Sequence, residues 1–249
     1  MASFAGCFDK GLGGVEYEDC YFEIEGLSPA LLQWFGDSLN GLGPQVMRDL
    51  TVEQVEAGQN KITPVAVTQA FLRDFRVSDA DAVSNSPGSL RFVAVPEVLT
   101  FLPTQTGTTP PTNNTLFLVA DFRFAVPHVN GSRVDAVRGV HMSLPKIVAP
   151  PIGSRHRFLP GAPQFDGIEL DAGEGGTTIT DLEAWANAVA QGRTDVRDGD
   201  LQFLSPGRST VLTDLHFQGL SPTTGFPPFP TSSLLARPID LTVGSFLFQ

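Results

Sequence analysis

The sequence predicts a mainly β protein: an antiparallel β-barrel or sandwich with one flanking helix and an additional long hairpin layer. Three observations carry this. Long stretches alternate apolar and polar residues with a period of two, which places one face of a strand on a core. Twenty prolines and 25 glycines among 249 residues break helices too often for a bundle. An apolar fraction of 41% still supplies one large core or two smaller ones.

The first strand lies in "VEYEDCYFEIEGL", around Tyr21, Phe22 and Ile24, and ends at Gly26. "SPALLQWFGDSLNGL" follows as a helix. Ser28 is a good N-cap, Pro29 suits the first helical position, and Leu31, Leu32, Phe35 and Leu39 recur on one side before Gly41 stops it. Thr51 and Gln54 have capping-box spacing and predict a second, short helix ending at Gly58.

From residue 62 to 148 strands dominate. "SLRFVAVPEVLTFL" reads as a strand in which Pro96 removes a ladder donor and favours an edge or a bulge. In "TLFLVADFRFAVPHV" the apolar residues Leu116, Leu118, Ala120, Phe122, Phe124 and Val126 share one face, with Asp121 and Arg123 opposite. "RVDAVRGVHMSL" repeats the pattern through Val134, Ala136, Val140, Met142 and Leu144. Asn130-Gly131 between them is a strong hairpin-turn signal. Pro150 and Pro151 in "IVAPPIGSR" mark an internal boundary. This divides the chain into 1–61, 62–150 and 151–249, with a shared core still possible. Beyond the boundary come a strand around Ile168 and Leu170, a helix over 181–191, and strands in "DLQFL", "STVLTDLHF" and "IDLTVGSFLF". No internal repeat is visible.

Composition also excludes function classes. A net charge of -11, with three lysines and thirteen scattered arginines, opposes a phosphate-binding surface and hence specific nucleic-acid binding. The start of the chain lacks the basic and apolar regions of a leader, and no apolar run is long enough to cross a bilayer, so assembly is expected in the cytoplasm. Cys7 and Cys20 have no zinc spacing and read as reduced, isolated thiols. The sequons at Asn113 and Asn130 mean little without a secretory signal.

The candidate sites point away from catalysis. "DAGEGGTT" sits between a strand and a helix, as a phosphate loop does, yet it lacks the Gly-Lys-Ser/Thr ending and the G-x-G-x-x-G spacing, and Asp171 and Glu174 would repel an anion. Asp166, Glu169, Asp171 and Glu174 are hard oxygen donors for calcium, without EF-hand order; a solvated acidic turn is the simpler reading. His128, His141, His156 and His216 are scattered, and His141 and His216 belong on the polar faces of strands. An enzyme would need His156 or His216 to meet Asp166 or Glu169 in a pocket. Trp34 and Trp185 fall on the apolar sides of helices, where burial is the default and a sugar- or base-stacking platform the alternative. We therefore expect no catalytic, cofactor-binding or metal-ligating residue and no cofactor.

Residues 157–249 carry a more specific order. "LPG" (Leu159, Pro160, Gly161) precedes a strand with Ile168 and Leu170, then Gly173. A helix follows with Leu182, Trp185, Ala186 and Val189 on one face, Thr180 and Glu183 at capping-box spacing, and Gly192 at its end. A strand pair, Pro222 and a closing strand from Ile239 to Phe248 complete it. This order, with "FEIEGLS" at 22–28, resembles the tail-tube proteins of contractile phages and phage-tail-like injection systems, and the ring-forming tube protein of type VI secretion. The resemblance implies a small β-barrel or sandwich flanked by a helix. It also implies subunits joined edge to edge in a ring, a hexamer in that family, with rings stacked into a tube beside sheath or baseplate proteins and no membrane insertion. Residues 62–150 then read as an inserted hairpin layer. A different class is a β-sandwich module that binds a carbohydrate or lipid through loops such as 103–114.

Overall fold

The computed structural model describes residues 2–5, 17, 19–40, 46–55, 61–106, 114–152, 155–173, 177–223 and 237–248. In chain order the elements begin with β1 (Ala2–Ala5), β2 (Cys20–Glu25), α1 (Pro29–Asn40), β3 (Arg48–Val55), β4 (Lys61–Val77), β5 (Ala80–Asp81), β6 (Ser89–Val95), β7 (Val98–Phe101) and β8 (Gln105–Thr106). They continue with β9 (Phe122–Ala125), β10 (Val134–Arg138), β11 (His141–Ser143), β12 (Lys146–Ile152), β13 (Arg155–Pro160), β14 (Gln164–Phe165) and β15 (Ile168–Ala172). Last come α2 (Thr177–Ala190), β16 (Arg197–Leu204), β17 (Val211–Pro222), β18 (Arg237–Thr242) and β19 (Ser245–Phe248). The fold is mainly β with antiparallel ladders, as the alternation predicts. Among the described residues the sheets stay open, so the architecture is sandwich-like rather than a closed barrel, and two helices accompany it.

The chain forms two compact units. The first comprises Met1–Phe75, Arg91–Asn114 and Ser143–Pro163, and the second Arg76–Leu90, Thr115–Met142 and Gln164–Gln249.

In the first unit Gly26, at φ 76°, turns the chain out of β2, and the Leu32 N–H donates to the Ser28 carbonyl at 3.0 Å to open α1 as the Ser-Pro signal predicts. The inner face of α1 buries Leu31, Trp34 and Phe35. Phe35 meets Phe75 at 4.5 Å between ring centroids, and Trp34 presents an edge to Phe92 at 6.3 Å. Val46, Phe71 and Val95 form a further cluster, against which Met47 and Phe158 pack. The buried carboxylate of Asp19 is held between Arg73 and Lys146. Cys20 is disulfide-bonded, which corrects the reduced-thiol expectation; Cys7 lies outside the described residues.

The predicted helix at 51–58 is instead β3. Leu50 and Val52 pair opposite Val67 and Val65 of β4, and this long-range ladder outweighs a local capping signal of about 1 kcal/mol. Gly58 lies outside the described residues. The single strand expected through 89–102, with an edge or a bulge at Pro96, is divided there into β6 and β7. Pro150 and Pro151 fall inside β12, which pairs with β13 across a register shift between Ala149 and Ile152. Without amide hydrogens the prolines cannot sustain a regular ladder there.

In the second unit the strands run in the order β5-β10-β15-β18-β17-β16-β9, with β19 also on β17. The predicted hairpin across Asn130-Gly131 is not a ladder. β9 pairs with β16, and β10 pairs with β15 and β5. Asn130 opens a single 3-10 turn, Gly131–Arg133, its side chain accepting from the Ser132 N–H. The strand predicted through 116–126 is also shorter. A turn closed by the Asp121 N–H to the Leu118 carbonyl (3.2 Å) shifts the pattern, so Phe117 and Val119 are buried while Leu116 is 65% exposed. Phe122, Phe124 and Val126 keep the predicted inward face.

The two units repeat one topology, although no internal repeat is visible in the sequence. In the first, β1-β2-β6-β4 lie in order with β3 and β7 also on β4; in the second, β10-β15-β18-β17 lie in order with β16 and β19 also on β17. Each has a helix between corresponding strands, α1 between β2 and β3 and α2 between β15 and β16. The details coincide. Trp34 Nε1 donates to the Val46 carbonyl at 2.8 Å, two residues before Arg48, and Trp185 Nε1 donates to the Asp195 carbonyl at 2.9 Å, two residues before Arg197. A bulge follows each arginine, between Arg48 and Leu50 and between Arg197 and Gly199. Opposite it stands a residue with positive φ, Gln69 at 50° and Gly219 at 73°. The next aspartate caps that residue: Asp49 Oδ1 accepts from the Gln69 N–H at 2.7 Å, and Asp198 Oδ1 from the Gly219 N–H at 3.1 Å.

Glycine suits that position and glutamine does not, because a Cβ in the left-handed region meets the following carbonyl. Gln69→Gly is therefore expected to stabilise the chain by about 1 kcal/mol, read as a raised denaturation midpoint. A lowered midpoint would show that the Gln69 side chain contributes more than the strain it carries.

Candidate functional site

The ordered segment 157–249 on which the tail-tube resemblance rests begins in β13 and runs through β15 and α2. Leu159 and Pro160 end β13 in the first unit, and Gly161 follows with its N–H donating to the Pro145 carbonyl at 2.8 Å. A Cβ on Gly161 would lie 2.8 Å from Pro145 Cγ, so this glycine serves close packing.

In the second unit β15 buries Ile168 and Leu170 and turns Glu169 and Asp171 the other way. Arg138 on the neighbouring strand meets both, its Nη1 lying 3.0 Å from Glu169 Oε1 and 2.5 Å from Asp171 Oδ2. Donation of a hydrogen bond to the Asp171 carboxylate is the main cause holding the Arg138 guanidinium above its already high ordinary pKa. Asp166 Oδ2 lies 2.5 Å from His141 Nδ1. Three of the four candidate calcium ligands thus face cationic or imidazole partners, and Glu174 lies outside the described residues. Among the described residues no group of three histidines, cysteines or carboxylates is placed to hold a metal ion. Gly173 is a packing glycine too: its N–H donates to the Arg133 carbonyl at 2.9 Å, and a Cβ would lie 2.7 Å from Asp135 Oδ2.

The helix begins at Thr177, earlier than the Thr180–Glu183 spacing predicts. Asn130 fixes this start. Its Nδ2 donates to Thr177 Oγ1 at 2.7 Å, its N–H donates to Asp181 Oδ2 at 3.0 Å, and its carbonyl accepts from the Thr178 hydroxyl. Sequence reasoning saw only a turn at Asn130, because these partners are some fifty residues away along the chain. At the other end Gly192, at φ 81°, stops the helix, with its N–H donating to the Val189 carbonyl at 2.9 Å.

Trp185 is buried on the docking face with Leu182 and Ala186, and Trp34 is buried likewise, so neither is an open stacking platform. The Arg197 guanidinium lies 4.4 Å from the Trp185 ring and grips Asp195 with two bonds, 2.9 and 2.7 Å. This fork holds the Asp195 carboxyl below its ordinary value of 3.8. A depressed carboxylate stabilises the fold above the unfolded value and loses that contribution as pH falls through the folded one. The expected result is that Asp195→Asn lowers the melting temperature near about pH 6 and that its gap to the unmodified chain narrows toward about pH 3. A gap independent of pH would contradict the ionic account.

Among the described side chains, the residues considered for an enzyme meet other partners. His216 Nδ1 lies 2.7 Å from Asp200 Oδ1, its register partner across β16 and β17. Asp166 faces His141 and Glu169 faces Arg138, while the His156 side chain lies outside the described residues, as do residues 107–113 of the loop considered for ligand binding. A cleft of about 590 Å³ is lined by Arg138, Glu169, Thr223, Asp240 and Thr242 among others, with no histidine or cysteine in its wall. Among the described residues no helix is long and apolar enough to cross a membrane.

The remaining feature is the sheet edge. Among the described residues β3 pairs only with β4. Its exposed side chains include Asp49, Thr51 and Glu53, a charged rim of the kind that discourages random strand pairing.

No protein-family model and no curated protein sequence matches the chain. Solved structures similar to it come from contractile injection systems. One is from the sheath-tube complex of PVC, an extracellular contractile injection system, in the extended state: 20% identity, 51% of this chain and 87% of that chain covered, TM-score 0.42. Another is from the tube-terminating cap of the anti-feeding prophage: 16% identity, 58% and 95% covered, TM-score 0.43. A third is from the sixfold-symmetrised baseplate of the anti-feeding prophage: 13% identity, 57% and 97% covered, TM-score 0.40.

Proposed function

We propose that this chain is a structural subunit of a contractile tail or phage-tail-like injection tube, assembling into stacked rings around a lumen. The observation that carries the reading is the repeated strand, helix, hairpin and closing-strand unit. Its second copy contains most of the ordered residues on which the tail-tube resemblance rests, from Ile168 to Phe248. The net charge of -11 fits a lumen wall past which DNA or an acidic effector slides without sticking, since like charges lower wall affinity. Sheath or baseplate proteins are the further partners, with assembly in the cytoplasm and no catalytic step. The disulfide at Cys20 suits a finished particle that works in oxidising surroundings.

The sixfold count implied by the resemblance belongs to single units. With two units per chain, six places correspond to three chains of 26.7 kDa, about 80 kDa for a ring.

Sedimentation of the full chain over rising concentration tests the reading. A tube subunit assembles with no ligand present. A chain that stays single, and whose melting temperature rises on adding an oligosaccharide or a lipid vesicle, would favour the binding-module class instead.

A further inference from the structure

We infer that the disulfide at Cys20 is a redox latch on the N-terminal strand: it joins Cys20 to Cys7, holds β1 against β2 under oxidising conditions and releases it when reduced. The latch stands independently of the ring reading.

The pairing follows from the count. Cys20 is disulfide-bonded, and the chain has two cysteines, so within one chain its partner is Cys7. The strand register locates the bond. Ala2 pairs with Ile24 and Ala5 with Tyr21; Cys7 comes two residues after Ala5 in the sequence, and Cys20 one residue before Tyr21. The cross-link therefore closes the loop end of the β1–β2 ladder.

The two strands of this ladder are anchored unequally. β2 is built into the sheet: β6 flanks it, Phe22 stacks on Phe92 at 4.7 Å, and Glu23 pairs with Arg91 at 3.0 Å. Asp19, next to Cys20, is held between Arg73 and Lys146. β1 has four residues and, among the described residues, pairs with β2 alone. So short an end strand gains little from its ladder against the entropy of ordering it. Closing a loop of this length with a disulfide favours the paired state by on the order of a hundredfold. β1 is thus the part that moves, and the bond decides whether it stays.

The chemistry is thiol–disulfide exchange. The thiolate of one cysteine attacks a small-molecule disulfide and expels one thiolate; the other cysteine then attacks the mixed disulfide and expels the second. Two protein thiols lose two electrons and two protons, and the small disulfide becomes two thiols. A reducing compartment such as the cytosol keeps the latch open, and an oxidising one closes it. Cys20 is 0% exposed, so attack on its sulfur waits for local opening and the closed latch resists reduction.

Hydrogen exchange of the full chain, oxidised and then reduced with dithiothreitol, is the test, together with Cys7→Ser. Peptide mapping of the oxidised chain should link the Cys7 and Cys20 peptides within one molecule. Amides 2–5, with those of 21–24 that face them, are expected to exchange at least about tenfold faster in the reduced chain, while α1 and β4 keep their rates. Cys7→Ser should show the fast exchange in both conditions. Free thiols at both positions after oxidation, or a bond joining two chains, would overturn the latch. Equal protection of β1 in both states would do so too, as would acceleration throughout the chain, which would make the bond a support of the whole fold. None of these outcomes decides whether rings form, so the latch and the ring reading fail separately.

Discussion

Trp185→Ala is expected to lower the stability of the folded chain by about 3–5 kcal/mol, the largest effect of any single substitution considered. The indole is 1% exposed, so its removal leaves a cavity beneath α2 in addition to the lost transfer energy. Two further contacts go with it. The Asp195 carbonyl loses the indole N–H at 2.9 Å, and the Arg197 guanidinium loses the ring face at 4.4 Å. Trp185→Phe separates these contributions, because it keeps most of the volume while deleting the hydrogen bond; the expected cost is about 1 kcal/mol from that bond plus a smaller packing loss. Urea denaturation measures both. Trp34→Ala should behave alike, since Trp34 holds the equivalent place and bonds to the Val46 carbonyl. A Trp185→Ala midpoint indistinguishable from that of the unmodified chain would mean that α2 is not docked through this ring.

Gly131→Ala comes second, with an expected loss of about 3 kcal/mol, the upper part of the range for overpacked sites. A Cβ at Gly131 would lie 2.0 Å from the Phe124 carbonyl oxygen. That atom belongs to the backbone of β9, so no rotamer change relieves the clash. Either β9 or the 3-10 turn must move. The turn also carries Asn130, whose three bonds fix the first residues of α2, and the damage should spread to faster amide exchange at the start of that helix. Gly192→Ala is the control: nothing lies within 4 Å of the added Cβ, but φ is 81°, so only the conformational cost of about 1 kcal/mol applies. Equal losses for the two variants would contradict the steric account.

Much of the fold was legible because burial follows the strand period closely. Val134, Ala136, Val140, Met142 and Leu144 are buried as alternation predicts, although Gly139 at φ 79° divides β10 from β11. The helices were legible from their end signals, Ser28-Pro29 and Gly192. Failures came where a distant partner decides. β3 is a strand because β4 pairs with it. Asn130 clamps a helix far along the chain. The inward face over 116–120 switches because a turn resets the phase.

The repeated unit was hidden for a different reason. Trp34 lies fourteen residues before Arg48, whereas Trp185 lies twelve before Arg197, so the two copies fall out of register at the helix end. What they share is hydrogen-bond geometry more than letters, the matching letters including the tryptophans at 34 and 185 and the Arg-Asp pairs at 48–49 and 197–198. Charge, missing lysine and absent ligand spacing argued against phosphate and metal binding at 171–176. The partners of Asp166, Glu169 and Asp171 give the three described carboxylates other contacts. Sheet edges are a further feature that composition alone cannot locate, because an edge is defined by what fails to pair.

The most direct measurement is electron microscopy of the purified full chain at high concentration in negative stain. The account predicts annular particles with a central lumen, stacking into short tubes, formed without any added ligand. A field containing only particles of single-chain size, 26.7 kDa, at every concentration would contradict it.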